Sequence, residues 1–216
     1  MIAALKDRLR PWITRLFPGR YWRLRARKYG RRAVLNLVHP ESEYDEVTRR
    51  QKSVLFPALQ SQLNGRERRL LDFGCGPGRF TKDLAEAIHG AAVGADVVPE
   101  LLALAPKAGE VDYRLVGDLW RSSPLPQFDV VWCCLVLGGI PESQIRKTAH
   151  NLQRVLVPGG LLFLAENTTV QPDVPHWTYR TAGRYRDLFP DVALAPVASY
   201  ADMGEEITVL AGRKKG

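Results

Sequence analysis

Cysteine is scarce in this 216-residue chain: Cys75, Cys133 and Cys134 are all there are, two of them adjacent and none in a CxxC or His-paired spacing. That count argues against a disulfide framework or a zinc site and makes a reducing, cytoplasmic compartment the expectation. Long apolar runs are missing too. Nothing approaches the roughly 20 residues that cross a bilayer, and the opening MIAALKDRLRPWITRLF is too interrupted by charge for a signal-peptide core. Acidic residues are nearly absent from residues 1–35, where Asp7 alone faces eleven Lys and Arg. That segment carries +10 of a formal net charge of +8, so the other 181 residues sum to −2. The basic balance therefore belongs to the N-terminal segment and says little about the partner of the rest. What remains, 45% apolar and 25% charged residues, fits one globular domain with a sizeable core and not a disordered, collagenous or multidomain chain.

Residues 1–40 read as a basic amphipathic extension and 41–216 as the main domain. Ile2, Leu5, Leu9, Trp12, Ile13, Leu16 and Phe17 recur at helical spacing, with Pro11 as a kink. PGR at 18–20 reads as a turn before the basic, aromatic YWRLRARKYGRR, and residues 43–63 read as a helix. From there short apolar runs alternate with helical stretches. Strands are expected at 69–73, 91–96, 111–116, 128–134 and 160–166, and helices at 79–88, 100–105 and 142–156. That alternation implies a parallel sheet with helices on both faces. Two further strands, 191–199 and 206–212, suit an antiparallel hairpin that closes the sheet.

LLDFGCGPGRF, residues 70–80, carries the strongest chemical signal. A buried strand ends in Asp72 and runs into Gly74, Gly76 and Gly78, where positive φ lets a ligand lie directly on the backbone. Open α/β sheets bind ligands at the carboxyl ends of their strands, so a nucleotide-like cofactor is expected. The spacing is GxGxG, and Arg79 stands where a dinucleotide fingerprint needs Gly. An acid ahead of the glycines also opposes a pyrophosphate and suits a ligand with a positive end. Asp96, at the end of the next strand, can accept both hydroxyl hydrogens of a ribose. Asp118, after the third strand, is placed to receive an exocyclic amine, with Leu119 against the base.

With these motifs in this order, the chain resembles the class I S-adenosylmethionine-dependent methyltransferases over about residues 66–212. The resemblance implies a Rossmann-like three-layer α/β/α sandwich whose seven-stranded sheet is mostly parallel, with the last strand antiparallel. It implies S-adenosyl-L-methionine as cofactor. Asp72, Gly74, Cys75, Gly76 and Gly78 match the family's first motif, Asp96 and Val97 its ribose-binding acid and neighbour, and Asp118-Leu119 its adenine-contacting pair. Cys134 or Leu135 would lie near the methionine part, and Arg50, on the helix before the core, would meet its carboxylate. LQRVLVPGGLLFLAEN matches the helix, Pro-Gly-Gly turn and fifth strand. The chain departs from many relatives in having Gly139 where they carry His. It lacks the Asn-Pro-Pro-Tyr type of motif, which argues against nucleic acid as acceptor, and no metal cluster is evident.

A hydroxyl acceptor needs a base, because its proton must leave as the new bond forms. His176, in QPDVPHWTYR after the fifth strand, is the first candidate and His39 the second; Glu166-Asn167 is placed to orient the acceptor. Trp177, Tyr179, Arg180 and Arg184 are candidates for holding a sugar or other polar ring. The expected function is methyl transfer to a small molecule, a sugar or glycan hydroxyl first. A protein or peptide amine is the enzymatic alternative, favoured by an acidic mouth. A membrane- or RNA-associated binding protein on the same fold is the non-catalytic one. The basic residues 1–35 suggest a peripheral position against anionic lipid on the inner face of a membrane.

Overall fold

The computed structural model describes residues 18–107 and 109–216. The amphipathic helix expected over residues 2–17, with its kink at Pro11, lies outside them. Seven strands form one sheet in the order β3-β2-β1-β4-β5-β7-β6. They are β1 (Arg69–Phe73), β2 (Ala91–Asp96), β3 (Val111–Leu115), β4 (Phe128–Cys134), β5 (Leu156–Asn167), β6 (Ala195–Asp202) and β7 (Glu205–Arg213). The first five run parallel, and β7 is antiparallel to both of its neighbours. The expected Rossmann-like sandwich with a reversed last strand is what the chain forms.

Alternation along the central strands buries both faces, as a parallel sheet between two helical layers requires. Leu71, Phe73, Val131, Cys133, Leu162 and Leu164 pack on one side with α5 (Val116–Arg121), α6 (Glu142–Val155) and α7 (Ala182–Leu188). Leu70, Val130, Trp132, Leu161 and Phe163 face the other, toward α2 (Tyr44–Gln60) and α3 (Thr81–Ala87). On that side the Trp132 and Phe163 rings stack at 4.6 Å. The last expected strand pair forms a hairpin, but β6 starts at Ala195 and not at residue 191. No helix among the described residues is long and apolar enough to cross a membrane.

The basic segment departs most from expectation. PGR at 18–20 opens a helix, α1 (Pro18–Tyr29), instead of making a turn; a proline in the first helical turn loses no hydrogen bond. A 3-10 turn, Gly30–Val34, follows. Ala26 and Ala33 pack on Val98 and Leu101, the latter from α4 (Pro99–Leu102). Arg23 and Arg27 reach Glu100 of α4 at 3.1 and 2.8 Å. Arg25 donates to the Ala33 and Leu35 carbonyls and to Tyr21 Oη. Arg32 donates to the carbonyls of Leu37 and His39. Arg23 and Arg27 thus fasten this segment to the domain, while Arg25 and Arg32 brace it from within.

Candidate active site

The strand order reverses between β1 and β4, and a cavity of about 860 Å³ opens at the carboxyl ends of these strands, where open α/β sheets hold ligands. Gly74, Gly76 and Gly78 all take positive φ. A Cβ on Gly74 would stand 2.4 Å from the Val136 side chain, and one on Gly76 2.7 Å from that of Val34 in the overlying N-terminal segment. The loop is therefore bare backbone with protein side chains packed directly against it, and of the three glycines Gly74 lines the cavity.

Three acids were expected at strand ends; two of them line the cavity. Asp72 accepts from Thr81 Oγ1 at 2.7 Å, and burial pushes its carboxyl up to about 7 against the pull of that hydroxyl. Asp96 accepts from Gly76 N at 2.9 Å and Val98 N at 2.8 Å, one bond to each oxygen. Burial raises its pKa, with backbone donors opposing. Each Asp96 oxygen keeps a lone pair for a ligand hydroxyl. Cys75, Val97, Cys134 and Leu135 also line the cavity. Burial pushes the Cys134 thiol up to about 12, so it carries no charge there.

Gly76, Gly78, Asp118, Leu119 and Arg50 do not line it; Val34 covers Gly76 and the Tyr113 ring covers Gly78. The chain turns helical at Val116, so residues 116 and 120, one turn apart, share the inward face. Val116 and Trp120 meet the cavity instead; Asp118 is exposed and pairs with Arg121 at 2.6 Å, and Leu119 is fully buried in the core. On α2, Tyr44, Val47, Gln51 and Leu55 form the buried face, which leaves Arg50 exposed beside Glu46.

Arg25, Lys147 and Arg79 do line the cavity, and of these the one that adjoins the glycine loop is Arg79. Its partners are neutral: Thr48 Oγ1 at 3.2 Å and Gln51 Oε1. The guanidinium lies 4.7 Å from the Phe80 ring and 5.8 Å from Tyr44, and burial lowers its pKa.

At the acceptor end, His176 stacks on Tyr21 of α1 at 4.8 Å and meets Trp22 edge-on. Burial, then Arg25, lowers its pKa, so its ring is neutral at neutral pH. Trp177 and Tyr179 line the same end. A smaller cavity of about 320 Å³ adjoins it, walled by Tyr21, Trp22, His176 and Trp177. Asn167 faces the main cavity but Glu166 does not. Glu166 is fully buried and accepts from the backbone N–H groups of Val136, Leu137 and Gly138. Arg180 donates to the Leu137 and Ile140 carbonyls and pairs with Glu142, which Arg184 also reaches. Expected as acceptor-binding groups, Glu166, Arg180 and Arg184 instead brace the loop after β4. His39 is buried away from the cavity with both ring nitrogens on carboxylates.

The sequence profile of the methyltransferase domain family matches residues 70–160. Residues 70–160 are a methyltransferase domain. A trans-aconitate 2-methyltransferase of Mycolicibacterium gilvum is 41% identical over 85 residues, 39% of this chain and 33% of that protein. A ubiquinone biosynthesis O-methyltransferase of Coxiella burnetii is 26% identical over 131 residues, 58% of this chain and 53% of that protein. The chain thus spans between a third and about half of these curated relatives. Magnesium protoporphyrin IX methyltransferase from Synechocystis, solved with bound SAH, superposes with a TM-score of 0.67 at 15% identity, over 94% of this chain and 99% of that one. Human N-acetylserotonin methyltransferase in complex with SAM gives 0.58 at 18% identity, over 77% of this chain and 53% of that one. These two show the shared fold.

S-adenosylmethionine is the cofactor of this family, and the methyltransferase domain fits it on its own geometry. Gly74 brings backbone without a side chain to the cavity wall, Asp96 offers two acceptors to a ribose, and Arg79 offers a cation to a carboxylate. Arg79 is not among the sequence candidates, because its position registers only as a failed dinucleotide fingerprint. Tyr21, Trp22 and Val34 were missed because nothing in the local pattern of the basic segment marks which of its side chains reach the strand ends.

Proposed function

We propose that this chain transfers a methyl group from S-adenosylmethionine to a hydroxyl on a ring-bearing small molecule, a sugar or glycan intermediate being the first class to test. The observation that carries this reading is His176, a neutral imidazole facing the cavity among the rings of Tyr21, Trp22, Trp177 and Tyr179. When bound, the cofactor supplies a methyl group already activated as a sulfonium. The protein then has to hold the two reactants in line, exclude water and take one proton. Asp96 holds the ribose, and the apolar side chains of Val98, Leu101, Val116 and Trp120 bound the base. Arg79 takes the carboxylate role expected of Arg50. A ring nitrogen of His176 accepts the hydroxyl proton, and the aromatic walls seat the acceptor ring.

The curated relatives, a trans-aconitate and a ubiquinone biosynthesis methyltransferase, support a small-molecule acceptor. A basic peptide would want an acidic mouth. Asp202 and Glu205 do face the cavity, but they are engaged by His39, Tyr179 and Gln171. For contact with anionic lipid, Arg20, Lys28 and the basic residues of 1–17 are the groups to test; most other cations of the segment have protein partners.

Incubating a metabolite and glycan extract with the protein and methyl-labelled cofactor, followed by mass spectrometry, tests the reading. A labelled hydroxylated small molecule is the expected product; label found only on peptide amines would replace it with the alternative.

A further inference from the structure

Two flaps meet over the cavity, and both are fastened to one hairpin turn. The first is residues 18–43. It lays Val34 over Gly76 and Tyr21 against His176. The second is residues 168–181, which brings His176 to the same place. Between β6 and β7 the chain turns through Met203 and Gly204, both at positive φ, and presents Asp202 and Glu205 on either side. Glu205 Oε1 accepts from Tyr179 Oη at 3.0 Å and Gln171 Nε2 at 2.8 Å, holding the second flap. His39, only 3% exposed, holds the first. Its Nε2 lies 2.9 Å from Asp202 Oδ1 and its Nδ1 3.0 Å from Glu43 Oε2.

A neutral imidazole has one N–H. With a carboxylate oxygen at each ring nitrogen, it would set one lone pair against another; only the imidazolium donates to both. We propose that His39 is a proton-loaded clasp: in its doubly protonated form it fastens residues 18–43 to the β6–β7 turn, and closing the cavity takes up a proton that opening returns to solvent.

His39 is on this reading a positioning residue, not a base. The charged groups that face it are Glu43 on the turn before α2, Asp202 on β6 and Arg32 of its own flap, whose Nε donates to the His39 carbonyl at 2.8 Å. Burial alone would lower its pKa, but the two carboxylates outweigh burial and hold it above the ordinary value. Closure is therefore favoured below that raised pKa and weakens as pH rises through it.

Hydrogen exchange on the ligand-free protein tests the clasp without assuming any ligand. After correction for intrinsic exchange, amides of residues 20–40 should lose at least tenfold more protection than those of β1 and β4 between pH 6 and pH 8.5. Asp202→Asn and His39→Gln should each abolish the difference. Glu43→Gln, at a half-exposed carboxylate, should shift the transition to lower pH and provides a milder variant if the others fold poorly. Protection independent of pH in the wild type, or a difference that survives Asp202→Asn, overturns the proposal. The coupling to ligand rests on the cofactor reading above. Calorimetry of S-adenosylhomocysteine in two buffers of different ionisation enthalpy should show more proton uptake near pH 7.5 in the wild type than in His39→Gln, Asp72 and Asp96 contributing equally to both. Equal uptake in the two proteins overturns the coupling. No binding at millimolar ligand sinks the cofactor reading and leaves hydrogen exchange to decide the clasp.

Discussion

Asp96 spends one bond from each carboxylate oxygen on a backbone N–H and has one left on each for a ligand. Hydrogen bonds to a charged group contribute about 1.5–3 kcal/mol, so Asp96→Asn should weaken S-adenosylhomocysteine about 10- to 100-fold by calorimetry, with far-UV circular dichroism unchanged. Arg79 has neutral partners only, and a ligand carboxylate would complete it. In Arg79→Gln, S-adenosylhomocysteine should lose at least tenfold in affinity while methylthioadenosine, which has no carboxylate, loses almost none; equal losses would place the carboxylate elsewhere. His176 is the proton acceptor in the proposed reaction. His176→Ala should lower kcat by about 100-fold or more and leave cofactor affinity within twofold, and near-normal turnover would remove it from the chemistry.

At the scale of the element, the loop after β4 explains why sequence reading misplaced Glu166 and Arg180. Both are charged and lie at or beyond the end of β5, which suggested a mouth. Glu166 points inward beneath three successive backbone N–H groups, and Arg180 caps the carbonyls of the same loop from the other side. That loop sets Gly138 and Gly139 against the indoles of Trp177 and Trp22. In Glu166→Gln the amide would turn a donor toward backbone donors. Leaving a buried donor unpaired costs about 1–3 kcal/mol, and the melting midpoint should fall by about 2–4 °C for each kcal/mol in a chain of this size. An unchanged midpoint would mean that the loop does not depend on the carboxylate.

Across the whole molecule, the titrating groups set a pH preference. Asp72 and Glu166 are pushed up to about 7 by burial, Asp96 is raised by burial, and His39 is raised by its carboxylates. A group with a raised native pKa binds more protons folded than unfolded, so its contribution falls as pH rises from the unfolded value to the native one. For Asp72 and Glu166 that window runs from about pH 4 to 7, and for His39 it begins near 6.5 and extends upward. The carboxylates held low, Glu67, Glu100 and Glu142, are ionised in both states throughout and add no slope there. Thermal stability should therefore decline between pH 6 and pH 8; a rise over that interval would contradict the assigned shifts.

Local pattern alone determined the sheet, the helical layers on both sides, the glycine loop and the acid that ends β2. Strand alternation, strand-end acids and glycines needing positive φ are properties of short segments, and Asp72, Gly74, Gly76, Gly78 and Asp96 are legible from neighbours within a few residues. What only the tertiary structure decided is which side chains reach the cavity from distant parts of the chain. Arg79 counts as a cavity cation because α2 offers it only neutral partners. Asp118 turns away because the helix begins at Val116, and His39 is locked because β6 returns Asp202 to it across 163 positions. The basic segment follows the same rule: its charge is visible in sequence, but its use as a cover depends on Glu100, Val98 and Leu101 standing where α1 comes to rest. Burial and pairing depend on long-range packing, and a side chain's chemistry follows from them as much as from its type.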